Sequence, residues 1–64
     1  MSNESPETLL RMPEVKRRTG LGRSTIYKYM EKGMFPKQHK AGVRAVGWKL
    51  GLVNQWVDER PLAH

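Results

Sequence analysis

The chain has no cysteine, and it carries only six acidic residues against twelve basic ones. The first absence removes disulfides and thiolate metal sites as sources of stability, which leaves a compact core or partners to supply it. It also fits a reducing compartment. No apolar run approaches the length of a membrane span, and Met1 to Glu7 lacks the basic start and apolar centre of a signal peptide. The chain is therefore expected to be soluble and cytoplasmic. Repeats and low-complexity tracts are absent as well. Its 64 residues suffice for one small domain near the lower limit of independent folding, with little room for an elaborate catalytic cleft.

The elements of other chemistry are missing too. His39 and His64 stand apart, and no Cys, Asp or Glu spacing completes a metal site. No nucleophile elbow and no P-loop arrangement of glycines occurs. The sequence reads as a non-enzyme that needs neither metal nor cofactor.

What the chain does have is positive charge, unevenly placed. Residues 11 to 49 hold eleven Lys or Arg against Glu14 and Glu31, a net of +9. The two ends together hold Arg60 against four acids, a net of −3. A basic block of this kind is either a solvated face or a surface for a polyanion, and charge alone does not choose between them.

Local signals supply the choice. Residues 1–7 read as a polar, disordered lead, and Thr8 to Arg11 as a short extended segment. Pro13 and Glu14 open a first helix that ends at Gly20, with Leu21 folding back on it. Gly22 is an acceptable N-cap for a second helix, residues 23–32, which places Ile26, Tyr29 and Met30 on one face. Gly33 and Pro36 stop that helix, with Met34 and Phe35 available for an apolar contact at its end. Residues 37–48 suggest a two-stranded hairpin turning near Gly42, read as a wing. A third helix over residues 52–60 aligns Val53, Trp56 and Val57, and residues 61–64 form a tail. Trp48 and Trp56 are expected in the core with Val15, Ile26 and Met30. The fold class is mainly α with a small β-hairpin, a winged helix-turn-helix over residues 8–60.

Two short helices joined by a tight turn allow the first to brace the second, which enters a DNA major groove N-terminus first. That geometry selects Arg23, Ser24, Thr25, Tyr27 and Lys28. Arg23 suits either guanine O6 and N7 or a phosphate. Ser24 and Thr25 are short donors for phosphates or base edges, and Lys28 is the simpler phosphate candidate. Tyr27 divides evenly between core and DNA contact. In the wing, Lys37, Lys40 and Arg44 surround the turn, and Arg44 suits the negative potential of a narrow minor groove. Lys16, Arg17 and Arg18 form a further basic run, with Arg17 a phosphate candidate that adds affinity rather than sequence preference.

The segments LLRMPEVKRRTGLGRSTIYKYMEKGMFPK, RAVGW and VNQWVDER together resemble the AlpA family of phage and prophage regulators, over nearly the whole chain after residue 8. The resemblance implies a winged helix-turn-helix related to the MerR and excisionase folds. It also implies a small bacterial or phage DNA-binding protein, with Arg23, Ser24, Thr25, Tyr27 and Lys28 on the recognition helix and Arg44 in the wing. The chain departs from the family pattern at Gly22, where a capping Ser is common, and at His39 and Ala41, where larger apolar residues are usual. The leading expectation is a sequence-specific transcriptional regulator that binds double-stranded DNA as a dimer or cooperative oligomer at the nucleoid. The alternatives are an excisionase-like factor that bends DNA for an integrase and, behind it, a protein-interaction adaptor.

Overall fold

The computed structural model describes residues 5–61. Its elements run β1 (Leu9–Leu10), α1 (Met12–Thr19), α2 (Arg23–Glu31), β2 (His39–Lys40), β3 (Val46–Lys49) and α3 (Leu50–Asp58). Three helices and a small antiparallel sheet are the architecture of a winged helix-turn-helix.

The core draws one residue from each of the first two helices, three from α3, and others from the sheet and the segment after α2. Leu10, Val15, Ile26, Phe35, Trp48, Leu50, Val53 and Trp56 are buried, and Met12, Leu21, Tyr29, Met30 and Val57 pack around them. Both tryptophans therefore sit where their size demands, each removing a large apolar area from water. Trp56 also stacks edge-on against Phe35, with ring centroids 5.0 Å apart, and donates its indole N–H to the Met34 carbonyl at 2.7 Å.

Two left-handed glycines terminate the first two helices. Gly20 (φ 75°) ends α1, its N–H bonded to the Lys16 carbonyl. Gly33 (φ 71°) ends α2 in a Schellman arrangement, with Gly33 N–H on the Met30 carbonyl and Met34 N–H on the Tyr29 carbonyl. A positive φ costs glycine nothing and strains any residue bearing a Cβ.

The expected two-stranded hairpin is present and gains a third strand. The order is β1-β3-β2, with Leu9 opposite Lys49, Leu10 opposite Trp48, His39 opposite Gly47 and Lys40 opposite Val46. Gly47 makes room for it, since a Cβ there would lie 3.0 Å from the Leu10 carbonyl oxygen and 3.0 Å from the Leu9 Cβ. The wing loop is closed by the Ala41 N–H on the Ala45 carbonyl at 2.8 Å.

One boundary differs from expectation. The third helix begins at Leu50, not at residue 52, and follows β3 without a linker, Lys49 being both the last strand residue and the N-cap. No capping side chain marks this start. Instead the Leu50 N–H donates to the Thr8 carbonyl at 2.8 Å and the Gly51 N–H to the Pro6 carbonyl at 3.0 Å, so the incoming chain satisfies the open end of the helix. Of the lead expected to be structureless, residues 1–4 lie outside the described residues, while Pro6 packs on Gly51 and Glu7 pairs with Lys49 at 3.0 Å. Of the tail, residues 62–64 lie outside them.

Candidate nucleic-acid interface

α2 is amphipathic: Ile26 is fully buried, while Arg23, Ser24 and Lys28 are exposed and Thr25 and Tyr27 are half-buried. Its N-cap, Gly22, offers no side-chain bond, and no acid occupies its first turn, so the positive end of the helix is left uncompensated. The Arg23 guanidinium lies over the Tyr27 ring, 5.4 Å from its centroid, which restrains a long side chain on the helix surface.

The wing adds a second set of cations. Lys40 is exposed in β2, and Arg44 is exposed in the loop after Gly42 and Val43, the latter 97% exposed. Lys37 is exposed just before β2. Among the described residues, none of Arg23, Lys28, Lys37, Lys40 and Arg44 takes part in an ion pair. Five cations without acidic partners on α2 and the wing form a surface suited to a polyanion.

Arg17 is placed differently. On α1 it donates from Nε to Glu14 Oε1 at 3.2 Å and makes a second bond to the same carboxylate, which also accepts from Arg18 Nε at 2.7 Å. Arg17 first, and then Arg18, holds the Glu14 carboxyl at a pKa of about 2, well below its ordinary 4.5. Part of the positive charge of the Lys16-Arg17-Arg18 run is thereby matched within α1.

Tyr27 stands between two depressions. On one side it shares a cleft of about 420 Å³ with Arg11, Pro13, Arg23, Arg44 and Trp48. On the other it borders a shallower one of about 380 Å³ with Met30, Glu31, Lys37 and Gln38. The structure thus brings Arg23, Tyr27 and Arg44 together and leaves Lys40 and Arg17 outside both clefts.

Arg11 is the residue that sequence reasoning passed over. It lies in the LLRMPEV segment but carries no local signal of a binding role, being the extended N-cap of α1 with no capping bond. Its place beside α2 and the wing follows from the pairing of β1 with β3, a long-range contact with no local signal. Among the described residues, no group of three or more His, Asp or Glu is arranged to hold a metal, and no helix is long and apolar enough to cross a membrane.

Comparisons with known proteins agree with this architecture. A family model described as prophage CP4-57 regulatory protein (AlpA) matches residues 8–61. The chain is 35% identical over 66 residues to the Escherichia coli K12 protein named DNA-binding transcriptional activator AlpA, with 94% of each chain covered. It is 44% identical over 54 residues to the ORF88 protein of Enterobacteria phage P4, covering 84% of this chain and 61% of the phage protein. From its helix-turn-helix order to its closing helix, the chain belongs to the AlpA family of prophage regulatory proteins.

Proposed function

We propose that this chain is a sequence-specific DNA-binding transcriptional regulator of the phage and prophage type. α2 enters the major groove with its N-terminal turn leading, and the wing, residues 37–48, rests on the adjacent backbone or minor groove. The observation that carries the reading is the 35% identity, across 94% of the chain, to a protein named as a DNA-binding transcriptional activator. The unpaired cations of α2 and the wing support it physically, since each phosphate they neutralise releases counterions.

Within that reading Ser24 and Thr25 face base edges, Lys28 and Lys40 reach phosphates, and Arg44 lies toward the minor groove. Arg17, shared with Glu14, is a peripheral phosphate contact. Regulation is favoured over an excisionase-like role with an integrase partner because the E. coli relative carries the name of an activator. A unit of this size reads few base pairs, so the working form on DNA is a homodimer or a cooperative array in the cytoplasm, at the nucleoid.

Selection of bound duplexes from a random pool, followed by footprinting of the enriched site, tests this directly. The expected result is a defined sequence protected by two or more copies, with affinity falling steeply as salt rises. Absence of salt-sensitive binding to any duplex, including the DNA upstream of the gene itself, would overturn it.

A further inference from the structure

The cleft beside Tyr27 is lined by three arginines from three separate parts of the chain: Arg11 at the N-cap of α1, Arg23 at the first position of α2 and Arg44 in the wing loop. No carboxylate lines it, and none of the three arginines takes part in an ion pair among the described residues. Such a gathering of like charge is unfavourable until an anion enters. Trp48 forms part of the lining, and its indole N–H is the one buried side-chain donor among the described residues that meets no acceptor. Buried donors are nearly always satisfied, so an unused one on a residue that lines the cleft is a second, independent sign of a missing partner; the N–H is covered in this structure, so a ligand meets it only after a small shift of the lining. The other indole, on Trp56, is bonded to the Met34 carbonyl.

Position supplies the identity of that partner. A helix in the major groove and a wing reaching the adjacent minor groove lie on either side of one sugar–phosphate strand, which must pass between them. The cleft is lined by Arg23 and Tyr27 of α2, by the wing residues Arg44, Ala45 and Val46, and by the start of α1. Guanidinium forks match the paired oxygens of a phosphodiester, and a volume of about 420 Å³ admits such a group with its sugars.

We propose that this cleft seats one backbone phosphodiester of duplex DNA, gripped by Arg11, Arg23 and Arg44, with the Trp48 indole N–H as a neutral donor at its floor. The inference rests on the DNA-binding reading and goes beyond it by assigning Arg23 to the backbone and adding Arg11 and Trp48 to the interface. Base reading then falls to the residues that follow Arg23 on α2.

The test uses the duplex enriched from the random pool, prepared as a series in which one phosphate at a time is replaced by a neutral methylphosphonate. For the native chain, one replacement should weaken binding by roughly tenfold. In Arg11→Gln that replacement should cost less than it does in the native chain, with Arg23 and Arg44 still at the phosphate, while the penalties at all other phosphates stay as they were. The same variant should lower the slope of log affinity against log salt by only part of the roughly 0.9 that a whole phosphate contact is worth, because Arg23 and Arg44 stay at the same phosphate. In a nitrogen–proton correlation spectrum the Trp48 indole signal should move on binding and the Trp56 signal should not. Thermal unfolding of Arg11→Gln, whose side chain is exposed, verifies that the fold is intact. Native-like affinity, slope and methylphosphonate pattern in Arg11→Gln would overturn the seat while leaving DNA binding in place. An unmoved Trp48 indole in the bound complex would overturn the part assigned to it. Failure of the native chain to bind any duplex would overturn the functional reading itself.

Discussion

Arg23 and Thr25 lie two residues apart at the start of the same helix, yet they are expected to fail differently when removed. Arg23→Ala should weaken cognate and random duplexes by the same factor and reduce the salt slope by less than about one, since Arg11 and Arg44 remain at the same phosphate. Thr25→Ala should instead change the preference at a base pair, with a cost of roughly 1 to 3 kcal/mol on the cognate site alone. Competition binding against single-base variants of the selected site distinguishes the two, and a shift in base preference in the Arg23 variant would contradict the division. Ile26, on the opposite face, is fully buried. Ile26→Val should cost about 0.5 to 1.5 kcal/mol by chemical denaturation, and Ile26→Ala about 2 to 5, enough to unfold much of a domain this small. The polar face of α2 and its buried Ile26 were legible from helical spacing alone. Tyr27 was left between core and surface, and half-burial between two clefts explains why no periodicity could assign it. Arg11 was not legible, because only a paired strand brings it to the site.

Helices here are fixed by end contacts more than by length. The Glu14 carboxylate on α1 binds Arg17 and Arg18, which lowers its pKa from 4.5 to about 2. The folded state therefore holds this proton less tightly than the unfolded chain, so the contact contributes fully above pH 4.5 and is lost as pH falls toward 2. Thermal melts between pH 2 and 6 should show that decline, and Glu14→Gln should flatten it. The sheet has its own sensitive point at Gly47. A methyl group there meets the backbone of β1, so Gly47→Ala should lower the melting temperature by several degrees and release β1 from β3. Weakened amide protection at Leu10 would report it. Turns and caps made of glycine and proline were readable in the sequence because they act locally. The start of α3 was not, since its first N–H groups bond to carbonyls of Pro6 and Thr8, more than forty residues earlier.

At the scale of the molecule, charge and shape are arranged to separate holding from reading. The net charge of +6 is concentrated in the middle of the chain, and among the described residues the cations on α2 and the wing make no ion pair. Affinity should accordingly be strongly salt-dependent, while under the proposed reading specificity should rest on the few side chains beyond Arg23 on α2. Because one unit reads so little sequence, binding isotherms on the selected site should be cooperative and the footprint should contain two related half-sites. Independent, single-copy occupancy at physiological salt would contradict this. The order of elements could be read from the sequence almost whole, because each helix carries its own stop signal; the extended segment at residues 8–11 was legible too, but not its pairing with β3. The direct passage from β3 into α3 at Lys49 and Leu50 has a further consequence, for how such proteins diverge. One residue inserted at that joint would rotate the closing helix by about 100° and carry Val53 and Trp56 away from their partners. The loop from Ala41 to Ala45 meets no such penalty, as its exposed tip touches little of the core. Descendants of this chain are thus free to lengthen or rewrite the wing tip and acquire new operators, while the base of the same hairpin stays fixed in length.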